Sequence, residues 1–316
     1  MIYSISNFDT GLRVDEAAYK RAKWILKSFD RVVVNFSGGK DSHAMATVMI
    51  DQAMQMDMTD KLDVVFFDLE TEVPPTYEFA EKYFDWLTDN TDVRVHWVWG
   101  YYLVRNATKK HGYGLFRAFD DADHVVLRQP PARGYVEALD ETFIWEKTIT
   151  YARDYYLRKR LLDGYHGKVA VCIGITKFES LNRLLATTKV RKGNYLDKPW
   201  TTLCASKPTD FRVKCYPIYD WRAQDVWQFI NERPFHNTYY DDMLKAGYKI
   251  SDIRTENTLH GCGLKNLNKL LSLYPDFGKK IKESGLIGDE WGNKHKPLPR
   301  QKSDGRLAIE KWSELL

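Results

Sequence analysis

Four short apolar runs, each flanked by a segment of helical period, constrain this chain more than any other feature. Residues 32–36, the stretch KLDVVFFDLE (61–70), DVRVHWVWG (92–100) and KVAVCIGIT (168–176) are rich in β-branched and aromatic residues over strand length. Between and before them the period lengthens. Residues 15–29 put Ala18, Ala22, Ile25, Leu26 and Phe29 on one face, 43–56 space Met45, Val48, Met49 and Ala53 helically, and 75–87 and 178–187 continue the alternation. Strands alternating with helices predict an α/β fold: a doubly wound, mostly parallel sheet covered on both faces.

Two regions break the alternation. Residues 100–140 are rich in aromatics, Gly and Pro and are too long for an ordinary connection, which predicts a lid or substrate loop. After about Pro234 the strand pattern stops, which predicts a nucleotide-binding domain over 1–233 and a small C-terminal helical appendage with a polar tail over 234–316. No run approaches the roughly eighteen apolar residues of a membrane span, and the N-terminus lacks the apolar centre of a signal peptide. A cytoplasmic protein with no membrane partner is therefore expected. Cys172, Cys204, Cys215 and Cys262 form no CxxC pair, which argues against a disulfide scaffold or a zinc ribbon. The net charge of +4 over 316 residues is too diffuse to decide for or against nucleic acid.

The loop at 37–42, SGGKDS, stands between the first run and the helix after it, where a parallel sheet binds ligands. Unpaired N–H groups and the helix dipole favour an anion there, Gly38 and Gly39 let the backbone approach it, and Lys40 adds a full charge. A Walker A loop would need glycine at Val34 and Ser or Thr at Asp41, and the GxGxxG pattern fails because Gly38 and Gly39 are adjacent. A phosphate-binding loop of another kind remains, beside the plainer reading that Asp41 and Ser42 only cap a helix.

FSGGKDS resembles the PP-loop of the ATP pyrophosphatase (adenine nucleotide alpha hydrolase) superfamily, and the chain from Asp15 to about Ile230 is similar to its phosphoadenosine phosphosulfate (PAPS) reductase-like branch. FFDLETE places Asp68 where that family has an acidic residue. GITKFESLNR matches its G-I-R-x-x-E-S-x-x-R element at Gly174, Glu179, Ser180 and Arg183, with Thr176 in place of the first arginine and Lys177 beside it. YPIYDWRAQDVWQFI matches a further element at Pro217, Asp220, Trp221, Asp225 and Trp227. The resemblance implies an adenine nucleotide bound by Ser37, Gly38, Gly39, Lys40, Asp41, Ser42, Asp68, Gly174, Lys177, Glu179, Arg183 and Asp220.

Two chemistries follow from that resemblance. With the full Lys40-Asp41 pair, the family's ATP chemistry is cleavage between the α and β phosphates, with Mg²⁺ held by Asp41 or Asp68 and an unknown acceptor activated by adenylylation, sulfur transfer being the common downstream use. The family's reductases instead take PAPS and attack sulfur with a cysteine, which HGCGLKN echoes at Cys262. A third reading is a non-catalytic nucleotide sensor acting with a ParB-like partner protein. Cys204, Cys215, Cys262 and His260 are candidates for zinc or an iron-sulfur cluster, as in some relatives. The basic group Lys189, Arg191, Lys192 and Lys198 is a candidate for substrate phosphates or tRNA, or simply a solvated face.

Overall fold

A computed structural model of the chain describes residues 3–6, 9, 11–109, 114–178, 193–207, 210–250, 253, 255, 257–261 and 267–287. The four predicted strands are β1 (Arg31–Phe36), β2 (Leu62–Phe67), β3 (Arg94–Gly100) and β7 (Lys168–Ile173). They pair in parallel, with Val34 opposite Val64 on one side and Cys172 on the other. These strands are covered on both faces, so β2 is buried along its whole length and reads as a continuous apolar run instead of an alternating one.

The aromatic stretch 100–140 contributes strands of its own. β4 (Leu103–Asn106) and β5 (Gly114–Arg117) form an antiparallel pair, and β6 (Val136–Leu139) joins the main sheet beside β3. β8 (Thr201–Lys207) and β9 (Asp210–Cys215) complete a seven-stranded sheet of order β6-β3-β2-β1-β7-β9-β8, parallel except for β8. Strand order runs outward from β1 through β2 and β3, then resumes on its other side with β7. The boundary between β1 and β7 is therefore the topological switch point, and the carboxyl ends of these two strands are where such sheets hold ligands.

Helices α1 (Val14–Ser28), α2 (Lys40–Gln55) and α3 (Pro74–Asn90) carry apolar stripes, and two prolines open α3 where their missing N–H groups cost nothing. On β2, Phe66 meets Phe84 of α3, while Phe67 meets Tyr156 of α4 (Ile149–Tyr156). Successive strand residues point to opposite faces, so α3 and α4 cover opposite sides of the sheet. His43 of α2 touches Phe79 and Tyr83, which puts α2 on the α3 side. The rest of the chain supplies α5 (Ala223–Asn231), α6 (Tyr239–Lys245), α7 (Leu267–Leu273) and α8 (Pro275–Glu283). The C-terminal helices dock on the 100–140 segment: Asn106 donates to the Leu286 carbonyl at 2.6 Å, and the Val125 amide to that of Ser284.

Candidate nucleotide site at the switch point

β1 ends at Phe36 and α2 begins at Lys40, so the chain turns within three residues. Gly38 makes that turn at φ +70°, and a Cβ there would stand 2.8 Å from Thr76 Cγ2; both torsion and space demand glycine. The Ser37 amide donates to Ser42 Oγ at 3.1 Å, and Ser42 Oγ donates to the Gly39 carbonyl at 2.9 Å, closing the loop on itself. Asn237 Nδ2 and the Tyr240 hydroxyl donate to the Gly38 carbonyl from the other side. The N-cap is Gly39, which offers no side chain to the helix. Neither Asp41 nor Ser42 occupies that capping position, so no N-cap side chain serves the first turn of α2. Lys40 Nζ lies 2.6 Å from Asp41 Oδ2, and both side chains keep some accessible surface.

The turn after β7 closes on this loop. A Cβ on Gly174 would meet the Asp41 carbonyl oxygen and Ser42 Cα at 2.7 Å each, so only glycine allows the two carboxyl-end turns to touch. Lys177 follows, its amide bonded to the Tyr219 carbonyl and its ammonium 5.0 Å from the Phe178 ring. Desolvation draws its pKa below the ordinary lysine value. Behind the loop, burial pulls His43 down to about 3, so it is a neutral packing residue.

The acidic turn after β2 has a different job from the loop. Asp68 has no exposed surface; it accepts from both Arg128 nitrogens at 2.7 and 2.6 Å, from Trp97 Nε1 at 2.9 Å and from the Glu70 amide at 2.8 Å. Its lone pairs are taken, and the donor set does not suit a metal ion. Glu70 accepts from the Phe119 and Leu127 amides and faces His124 Nε2 at 2.8 Å. Glu72 takes a further Arg128 bond at 3.0 Å, and burial together with the Asp68 charge pushes its pKa up to about 7. The three carboxylates thus fasten residues 119–128 against the carboxyl edge.

Between that turn and the phosphate loop lies a cleft of about 340 Å³, lined among others by Ser37, Phe67, Glu72, Arg105, Arg153 and His260. Phe66, Leu69, Val104 and Ile149 make much of its wall apolar, the usual make-up of a small-molecule site. Arg105, Arg153 and the poised Glu72 were not among the residues expected from the sequence. No spacing marks them, because what distinguishes them is the cleft they share.

Asp220 lies elsewhere. Both its oxygens are held by Arg21 at 2.7 and 2.8 Å, and Ser6 Oγ donates at 2.6 Å, all buried. Trp221 Nε1 donates to the Val14 carbonyl, and Asp225 accepts the Ser4 and Arg222 amides. In this structure the D-W-x-x-x-D element ties the N-terminal segment to the sheet. Glu179, Arg183 and Cys262 lie outside the described residues, as do Ser180, Lys189, Arg191 and Lys192. Cys172 and Cys215 are buried, with thiol pKa values raised by desolvation, and Cys204 is exposed. Among the described residues no three His, Cys, Asp or Glu side chains gather as a metal-ligand set, and no helix is long and apolar enough to cross a membrane.

Solved structures similar in part include the FMN adenylyltransferase of Candida glabrata in complex with FMN and an ATP analog (12% identity, TM-score 0.37, covering 68% of this chain and 55% of that one). The phosphoadenylyl-sulfate reductase of Candida auris shares 16% identity at TM-score 0.38 over 78% of this chain and 95% of that one. The U34-tRNA thiolase NcsA of Methanococcus maripaludis, with its 4Fe-4S cluster, gives 14% and 0.37 over 98% and 100%. At that level none of these likenesses carries an argument about this chain. The Escherichia coli (strain K12) protein YbdN, described as uncharacterized, is 29% identical over 258 residues; the match takes in 79% of this chain but spans only 60% of that relative's length. Residues 31–250, from the first residue of β1 to beyond α6, match the phosphoadenosine phosphosulfate reductase domain, and the chain belongs to that family.

Proposed function

We propose that the chain binds an adenine nucleotide with its phosphates on the loop at 37–42 and cleaves ATP between the α and β phosphates to adenylylate an acceptor. The observation that carries this reading is the glycine-capped α2 N-terminus at the switch point, closed by Gly38 and Gly174 and bearing the Lys40–Asp41 pair. Membership of a family named for a phosphoadenosine compound supports the adenine nucleotide. In the reaction an acceptor oxygen attacks the α phosphorus, the bond to the bridging oxygen breaks, and pyrophosphate leaves with the electron pair. Lys40 and the first-turn amides stabilise the charge that grows on it. Asp41, accessible and paired with the neighbouring Lys40, fits a Mg²⁺ ligand, whereas Asp68 does not. When bound, Mg²⁺ supplies further charge neutralisation on the departing phosphates.

The test is turnover and titration. Lys40→Ala should weaken nucleotide binding roughly ten- to hundredfold, the loss of one charge-assisted contact. Asp41→Asn should abolish pyrophosphate release while leaving the fold intact. Unchanged affinity in a folded Lys40→Ala protein would reduce the loop to a turn.

One observation favours a second reading. His260 lines the cleft, and Cys262 follows it by two residues in the sequence. If Cys262 is the nucleophile of a PAPS reductase, its thiolate attacks the sulfur of PAPS, adenosine 3′,5′-bisphosphate departs, and a thiol reductant then resolves the enzyme-bound sulfonate to release sulfite. Sulfite formed from PAPS and thiol in the presence of EDTA, and lost in Cys262→Ser, would establish that reaction in place of ATP cleavage.

A further inference from the structure

The arginines of this chain divide sharply by what they touch. Arg21, Arg31, Arg94, Arg128 and Arg212 each hold a carboxylate at 3.0 Å or less. Arg105 on β4 and Arg153 on α4 line the same cleft, and neither side chain has an ion pair or hydrogen bond among the described residues. The Arg153 guanidinium lies 5.4 Å from the centre of the Phe67 ring at the end of β2. Glu72, the one carboxyl group among the described residues that line the cleft, is bonded to Arg128. Asp154, next to Arg153 in sequence, is drawn off by Arg158 at 2.6 Å. Arg153 is exposed at the open cleft. A guanidinium so placed has no ion-pair partner among the described residues and is open to an oxyanion.

Position adds to this. The phosphate loop belongs to α2, on the α3 side of the sheet, and Arg153 belongs to α4, on the opposite side. A molecule lying across the carboxyl edge therefore meets positive charge at both ends, with apolar Phe67, Leu69, Val104 and Ile149 between.

We propose that Arg105 and Arg153 form a second oxyanion subsite, which takes a phosphate or carboxylate carried either on the nucleotide's ribose or on the co-substrate that meets it. This rests on the nucleotide reading for the first end of the cleft only. The two sources share one chemistry, and titrations separate them. In the first arm, AMP and adenosine 3′,5′-bisphosphate are titrated into the wild type, Arg105→Ala and Arg153→Ala proteins. In the second, inorganic phosphate is titrated into the same proteins loaded with AMP, and into each without nucleotide.

A ribose source predicts that the bisphosphate binds more tightly than AMP, and that either variant removes a roughly ten- to hundredfold advantage while AMP affinity stays within about twofold. A co-substrate source predicts that phosphate binds the AMP-loaded wild type and that both variants lose it by the same factor. Arg153→Lys should restore part of either effect, and denaturation curves should match the wild type. If neither variant changes bisphosphate or phosphate binding, the subsite is overturned. Failure of AMP to bind the wild type would sink the nucleotide reading instead, and phosphate binding to the nucleotide-free proteins would still decide for or against the arginine pair.

Discussion

β2 carries one buried aspartate at its start and another just past its end, and the two are served in different ways. Asp63, at the amino edge, accepts from Arg31 at 2.6 Å, from Arg94 at 2.9 Å and faces His96 at 3.0 Å; these partners sit on the two neighbouring strands β1 and β3. His96 reaches on to Glu137 at 2.7 Å, which also accepts from Tyr156. Asp68, at the carboxyl edge, draws its arginine from a loop 60 residues away, and Arg105 and Arg153 of the nearby cleft have no carboxylate partner among the described residues. The amino edge is neutralised by the sheet itself, while the carboxyl edge keeps cationic charge facing a cleft. Paired charge there serves folding, and unpaired charge is available to a ligand.

That contrast breaks most visibly at Asp63. Asp63→Ala would strand the Arg31 and Arg94 charges and should cost about 3 to 5 kcal/mol of stability, read from urea denaturation, whereas Arg153→Ala should stay within about 0.5 kcal/mol. Equal losses at both positions would erase the distinction between the edges. Next in size is Gly174→Ala, whose methyl group would push against the Asp41 carbonyl and Ser42. It should cost about 1 to 3 kcal/mol and loosen nucleotide binding at the same time. A stability loss without any change in binding would separate that turn from the loop it touches.

The smallest effect is the pH dependence contributed by the amino edge. Burial works against charge on His96, but its bonds to Asp63 and Glu137 outweigh burial and raise its pKa. Its contribution is therefore complete below the unfolded value near 6.5 and is lost as pH rises through the higher folded value. Burial also opposes the Asp63 charge, and bonds from Arg31, His96 and Arg94 override it to hold that pKa well below the usual range. Its contribution is present above the unfolded carboxylate value and is lost in acid. Unfolding free energies measured from pH 5 to 9 should decline toward the alkaline end as both His96 and the raised Glu72 carboxyl lose their protons, and His96→Gln should make that decline shallower, leaving the part due to Glu72. A decline unchanged in His96→Gln would assign it to another group.

Much of this was legible in sequence because it depends on neighbours along the chain. The strand runs at 32–36 and 168–176 and the loop between Phe36 and Lys40 declare themselves by period and by glycine. β4, β5 and β6 did not, since runs of four residues are too short to show a period and their pairing comes from distant segments. Asp220 illustrates the limit more sharply: its motif was readable, but its partner Arg21 is 199 residues away, and only folding shows that the carboxylate is spent on that bond. Arg105 and Arg153 were invisible for the converse reason. Lacking a partner is a property of three-dimensional surroundings, and composition has no sign for it.

The bonds from Asn237 and Tyr240 to the Gly38 carbonyl set a timetable for the newborn chain. The donor on Asn237 is made 199 residues after the loop it braces. At roughly 5 to 20 residues per second, the ribosome takes about 10 to 40 s to supply it. For that interval β1, its turn and α2 exist without the brace, and a nascent chain halted short of Asn237 should hold nucleotide more weakly than one released past Tyr240.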